Sequence, residues 1–163
     1  MKDKLRLFIK NNMEVENRLF GASMMKRARA SYMEEELCES SINTFVNNNK
    51  DDNKFQKLLF KYIDDRNLKD SDVYNKVHID RRLFSKIRSD PDYHPSKDTV
   101  ILLGLALELN IEEFTLLMNS ASYSIPKNNY YDLIIRFCFM EGIYKIKDVN
   151  DLLAMYNCKL FSY

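Results

Sequence analysis

This chain of 163 residues has few of the residues that interrupt helices, since it contains only three glycines and three prolines. Such a low content of turn-forming residues argues against a protein built from strands and tight hairpins. A composition rich in Leu, Lys, Asp and Asn favours helices joined by short polar loops instead. Hydrophobic residues make up 45% and charged residues 30% of the chain, which is typical of a globular protein with a packed core.

Cysteine and histidine are also scarce. The three cysteines, Cys38, Cys138 and Cys158, lie far apart and form no Cys-x-x-Cys pair. An odd number of dispersed cysteines indicates reduced thiols and therefore a cytoplasmic protein. The two histidines, His78 and His94, have no cysteine nearby and are not at a helical ligand spacing. We therefore expect neither a metal ion nor another cofactor.

Long apolar runs and catalytic motifs are missing as well. No stretch of about 18 apolar residues occurs, so no membrane span is expected, and the charged N-terminal segment lacks the apolar core of a signal peptide. The glycine-rich phosphate-binding motifs and the common hydrolase and metalloprotease motifs are absent, which makes an enzyme the least supported class. The formal net charge is only +1, so nucleic-acid binding would have to depend on local charge.

The apolar spacing divides the chain into an N-terminal helical appendage, residues 1–49, and a larger helical domain, residues 53–163. The polar segment Phe45–Asn53 spans the boundary between these two parts and is the predicted linker. Within the appendage, the predicted helix Met24–Leu37 has basic residues at its start and acidic residues at its end. That order opposes the helix dipole, so we expect this helix to rely on a partner, and we predict that it forms the contact of a homodimer.

Seven helices are predicted after the linker, at about 53–67, 73–77, 81–89, 97–110, 111–118, 130–140 and 149–156. The predicted N-caps are the Asp70-Ser71-Asp72 cluster, Asp80 and Ser96, because short polar side chains accept hydrogen bonds from the first backbone N–H groups. No convincing strand is found, although the segment Gly142–Ile146 could be extended.

The stretch Asp70–Met118 has two short helices joined by a tight turn, then a Pro-started helix and one more helix. The second short helix has an apolar inner face, the turn carries His78, and Pro95 and Ser96 begin the next helix. With these features, the segment from about Lys54 to Ala121 resembles the lambda-repressor-like (Xre-type) helix-turn-helix family. The resemblance implies an all-α helix-turn-helix bundle that binds DNA and regulates transcription.

Two residues depart from that family pattern. Tyr74 stands where a small residue is usual, so the two short helices should pack further apart. His78 stands in place of the turn glycine, in a conformation with positive φ that costs a residue with a Cβ atom about 1 kcal/mol, although histidine is among the residues enriched there. The longer stretch Lys54–Asn157 also resembles a helical module found at the C-terminus of Gram-positive bacterial multidomain proteins, which implies a bacterial origin.

The predicted DNA-binding residues lie mainly on the helix after Asp80, away from its apolar face. In this motif the N-terminal end of the second short helix presents side chains to base edges in the major groove, where arginine can donate two hydrogen bonds to guanine. Lysines near it, among them Lys76, could contact phosphates. The predicted set is Arg81, Arg82, Ser85, Lys86, Arg88 and Lys97.

Two other interpretations stay open at this point. The basic residues could be a solvated helix face, which is common on surface helices. The same fold could also be a protein-interaction module, in phage defence or in countering it, that binds a protein partner instead of DNA. Our leading hypothesis is a bacterial or phage helix-turn-helix protein that binds DNA, regulates transcription and acts as a homodimer.

Overall fold

A computed structural model describes residues 2–9 and 54–162, and within these residues the chain forms eight helices and no strand. The predicted all-α class is therefore confirmed for the part of the chain that is described. In chain order the helices are α1 (residues 2–9), α2 (Lys54–Asp65), α3 (Asp70–Lys76), α4 (Arg81–Ser89), α5 (Lys97–Ala106), α6 (Ile111–Ser120), α7 (Tyr130–Met140) and α8 (Ile146–Ala154). None of these helices is long and apolar enough to cross a lipid bilayer.

The predicted helix Met24–Leu37 and the predicted linker Phe45–Asn53 lie outside the described residues. The first described segment, α1, packs on α7. Leu5 is fully buried, the Phe8 ring lies 5.6 Å from the Phe137 ring, and Lys4 forms an ion pair with Glu141. At least the start of the predicted appendage is thus attached to the helices of the larger domain.

Most helix ends follow from local sequence. The Asp80 side chain accepts a hydrogen bond from the Arg82 N–H at 2.6 Å, and the Ser96 hydroxyl accepts one from the Thr99 N–H at 3.2 Å. These two residues are therefore the N-caps of α4 and α5, as predicted.

Two predicted helix starts were wrong. Helix α3 begins at Asp70 and not at Val73, and its N-cap is Lys69, whose side chain makes no capping hydrogen bond. The carboxylates predicted as caps lie instead in the first turn of α3, where the helix dipole favours negative charge. Helix α8 begins at Ile146 and not at Val149, because the preceding Lys145 already takes the extended conformation of an N-cap.

Buried residues from all eight helices belong to one hydrophobic core, and α5 contributes most of its length to it. Helix α6 approaches α5 closely at Gly104, where a Cβ atom would lie 2.8 Å from a ring carbon of Phe114. Phe114 in turn stacks on Phe139 of α7, with the ring centroids 3.6 Å apart. The glycine therefore allows three helices to meet around one aromatic pair.

The chain after α8 folds back onto the helices. The Asn150 side chain donates to the Phe161 carbonyl and accepts from the Phe161 N–H, both at 2.9 Å. The Phe161 side chain is buried, and its ring lies 6.3 Å from that of Tyr131. These contacts hold the C-terminal segment against α7 and α8.

Candidate nucleic-acid interface

Helices α3 and α4 are joined by a turn of four residues, 77–80. Val77 and Ile79 are buried and anchor the turn in the core, while His78 is exposed and has a φ of 54°. This is the left-handed conformation expected where the family pattern has glycine, and histidine tolerates it better than β-branched residues do. The Ile79 N–H donates to the Tyr74 carbonyl at 2.9 Å, which closes the turn onto α3.

Phe84 holds α4 against the two preceding helices. Its side chain is buried, and its ring lies 5.6 Å from the ring of Tyr74 in α3 and 6.2 Å from that of Phe60 in α2. The apolar inner face predicted for this helix consists of Leu83, Phe84 and Ile87. Phe84 and Ile87 are buried, as predicted, whereas Leu83 is only half-buried. The Tyr74 ring therefore forms part of the contact between α3 and α4.

A contact that the sequence did not predict holds the C-terminal end of α4. The Gln56 side-chain amide donates to the Ile87 carbonyl and, at 2.7 Å, to the Asp90 carbonyl. These bonds satisfy backbone acceptors that a helix end leaves unpaired. A signal for this role was present, because Gln56 is the polar member of an i, i+4, i+7 stripe whose other members are Phe60 and Ile63.

The N-terminal half of α4 presents three of the predicted residues to solvent. Arg81, Arg82 and Ser85 are all exposed. Neither arginine forms an ion pair within the described part of the chain. Their guanidinium groups can therefore bind a ligand without first breaking an ion pair with a carboxylate.

The other two predicted residues of α4 have partners in their own domain. The Lys86 Nζ lies 4.8 Å from the centre of the Tyr93 ring, yet the side chain stays exposed. Arg88 is held more firmly, because its guanidinium lies 2.6 Å from an Asp70 carboxylate oxygen and 4.1 Å from the centre of the Phe60 ring. We conclude that Arg88 joins α4 to α2 and α3.

An open cleft of about 410 Å³ lies between α3 and α4. Arg81, Ser85 and Arg88 line one wall at i, i+4 and i+7 spacing, and Lys69 and Ser71 line the opposite wall. The opposite wall also carries Asp70, the partner of Arg88. The cleft therefore has basic and hydroxyl groups on both sides and one acidic group. Arg82 and Lys86 form the neighbouring stripe of α4.

Lys97, the remaining predicted contact, is not on this face. Its Nζ lies 2.6 Å from an oxygen of Asp132, whose side chain is only 5% exposed. The other oxygen of that carboxylate accepts from the Asn129 side-chain amide at 2.8 Å. Lys97 thus balances a buried charge at the N-terminal end of α7. Lys76 also forms an ion pair, with Glu108 at 2.6 Å.

A polar cluster surrounds Asp98, next to Lys97. The Tyr131 hydroxyl donates to one Asp98 oxygen at 2.8 Å, and the Lys159 Nζ donates to the other at 2.6 Å. Burial alone would raise the pKa of Asp98, but these hydrogen bonds outweigh it and hold that pKa below the ordinary value of 3.8. Burial, together with the bond to Asp98, raises the pKa of Tyr131 well above its usual range.

The remaining chemistry of the described residues is sparse. No group of three His, Cys, Asp or Glu side chains in residues 2–9 and 54–162 is placed to hold a metal ion. Cys138 is buried in α7, and that burial raises the pKa of its thiol to about 12. A scan against protein-family models and searches of curated proteins and of solved structures find no match for this chain.

Proposed function

We propose that the chain binds double-stranded DNA through α4 and acts as a bacterial or phage transcriptional regulator. The observation that supports this most directly is the pair of exposed arginines, Arg81 and Arg82, at the N-terminal end of a helix that is firmly held by its neighbours. A major groove about 12 Å wide admits one α-helix, and arginine recognises guanine through two parallel hydrogen bonds. In this proposal α3, the turn and α4 form a helix-turn-helix motif of the Xre type.

The charge distribution around α4 favours the proposal. Four of the nine residues of α4 are cationic and none is acidic. The N-terminal half carries Arg81 and Arg82, and it is this end that reads bases in helix-turn-helix proteins. In the proposed interface, Arg81, Arg82 and Ser85 face base edges while Lys86 faces the phosphate backbone.

The second candidate function is a protein-interaction module, and one specific observation favours it. Three cations that could have contacted phosphates are paired with carboxylates of the same chain, namely Lys76, Arg88 and Lys97. Among the described residues around α4, few basic groups are then left for the phosphate contacts on which DNA affinity depends. A module of this kind would use the same cleft for an acidic or polar segment of another protein.

Salt dependence separates the two functions. The experiment measures the fluorescence anisotropy of a labelled random-sequence duplex, titrated with the full chain at several salt concentrations. If α4 contacts DNA, the logarithm of the association constant falls linearly with the logarithm of the salt concentration, by about 0.9 per neutralised phosphate. K86A should make this slope shallower by about one unit.

The matched control is K145A, because Lys145 is exposed and makes no ion pair among the described residues. This variant should leave the slope unchanged. Failure of the unmodified chain to bind the duplex even at low salt would contradict DNA binding and leave the interaction module as the better explanation.

A further inference from the structure

A second open groove, of about 440 Å³, lies on α6 and α7, which contribute nothing to the cleft beside α4. Its lining residues are Ile111, Glu112, Thr115, Leu116 and Arg136. The Thr115 hydroxyl already donates to the Ile111 carbonyl at 2.7 Å, so it needs no further partner. The groove therefore presents mainly apolar surface between one acidic and one basic group.

Leu116 is the most conspicuous residue of this groove, because 57% of its surface is exposed. Met140 extends the exposed apolar surface along α7, since it follows Arg136 by one helical turn on the same face and is 49% exposed. Exposed apolar groups rimmed by charged residues are typical of protein contact surfaces. Methionine and arginine are also enriched there.

The two charged groups of the groove lack partners in the described part of the chain. Neither Glu112 nor Arg136 forms an ion pair there, although the adjacent Glu113 is paired with Arg66 at 2.7 Å. The acidic group is on α6 and the basic group is on α7. A surface with an acidic group on one helix and a basic group on the neighbouring helix is complementary to a copy of itself, rotated by 180° about an axis between the two groups.

We propose that this groove binds a second copy of the chain in a two-fold symmetric dimer. Leu116 of each copy packs at the centre, and Glu112 of each copy pairs with Arg136 of the other. The inference does not depend on DNA binding. It places the dimer contact on α6 and α7, whereas the sequence pattern predicted the contact on Met24–Leu37.

Charge reversal tests this arrangement directly. In E112R both copies carry only basic groups at the proposed contacts, and in R136E both carry only acidic groups. Each variant alone should therefore dimerise at least about tenfold more weakly than the unmodified chain, because like charges face each other. When the two variants are mixed in equal amounts, both contacts become opposite-charge pairs, and heterodimers should form.

The measurement is sedimentation velocity of the full chain, with one variant fluorescently labelled in the mixing experiment. The unmodified chain should sediment with twice the chain mass of 19.4 kDa, and labelled E112R should reach that mass only when R136E is added. A groove covered by residues 10–53 of the same chain would give no such recovery. That outcome, or an unmodified chain that stays monomeric through the micromolar range, would overturn the proposal.

A second variant removes the apolar contact. L116K should reduce the mass to that of a monomer, because the substitution places a charge at the centre of the interface. Its matched control is L160K, since Leu160 is 46% exposed but lies outside the groove. If L116K dimerises as well as L160K, the dimer contact lies elsewhere. Circular dichroism of both variants checks that the helices are intact.

Discussion

Arg88 and Lys97 have the same charge as Arg81 and Arg82, but their surroundings give them different roles. Arg88 is paired with the Asp70 carboxylate and Lys97 with the Asp132 carboxylate. Arg81 and Arg82, in contrast, project into solvent. Lys97 was predicted as a phosphate contact because it is a lysine near α4. The three arginines were predicted because a sequence pattern can place a basic residue off the apolar face of a helix. Such a pattern cannot show a carboxylate that is distant in sequence and near in space.

The buried ion pair of Lys97 leads to the first residue-scale prediction. K97M should lower the free energy of unfolding by roughly 2 kcal/mol, because it leaves the buried Asp132 carboxylate without its counter-charge. Urea denaturation measures this change. In DNA titrations of the folded variant, the salt slope should stay that of the unmodified chain. A salt slope shallower by one unit would instead indicate that Lys97 contacts a DNA phosphate.

At the scale of the helices, Phe84 connects α4 with α2 and α3 through its contacts with Phe60 and Tyr74. F84A should therefore lower the free energy of unfolding by about 3–5 kcal/mol, the usual cost of removing a buried aromatic ring. L83A is the matched control on the same helix and should cost less, because Leu83 is only half-buried. Equal losses in urea denaturation would contradict the packing described for α4.

The polar cluster that joins α5, α7 and the C-terminal segment should make stability depend on pH. The pKa of Asp98 is lower in the folded chain than its ordinary value of 3.8, so the folded state favours the ionised carboxylate. This contribution is fully present above pH 3.8 and is lost as the pH falls through the lower, folded-state pKa.

The variant D98N tests this dependence. It should melt at a lower temperature than the unmodified chain at neutral pH, and the difference should narrow as the pH falls below 3.8. In the K159M background, which lacks the charged donor to Asp98, D98N should have a smaller effect at neutral pH. A difference in melting temperature that does not change with pH would contradict the stabilisation of the fold by the ionised Asp98 carboxylate.

Helix bounds were predictable where one strong signal was present. The apolar segment of α7 follows Asn129, whose side chain accepts from the Asp132 N–H, and both ends of α7 were predicted correctly. The start of α3 was predicted wrongly because three consecutive polar residues, Asp70 to Asp72, are all acceptable caps. None of them is the cap, because Lys69 precedes the helix. Asp70 lies in the first turn instead and pairs with Arg88, a contact that a local pattern does not contain.

Part of the candidate site was also predictable from the sequence. Amphipathic spacing correctly placed Arg81, Arg82 and Ser85 on the exposed side of α4, since that side follows from the buried positions of the same helix. The supporting contacts were not predictable in the same way. Gln56 reaches the end of α4 from a helix about 30 residues earlier, and only the folded chain brings those groups together.

At the scale of the whole molecule, the described helices share one core although the predicted boundary falls between α1 and α2. Leu5 of α1 belongs to the same buried cluster as Phe137 of α7. A helix that buries its apolar side chains in the core of another segment should unfold together with that segment. The N-terminal helix is then a structural part of the domain that carries α4.

This cooperativity can be measured with a pair of leucines on α1. L5A should lower the free energy of unfolding by about 2–5 kcal/mol, because Leu5 is fully buried. L7A should change it by less than about 0.5 kcal/mol, because Leu7 is exposed on the same helix. Urea denaturation followed by circular dichroism should show one transition, shifted by L5A and unchanged by L7A. If L5A left the main transition in place, α1 would unfold independently, and the predicted appendage would be a separate domain from its first residues onward.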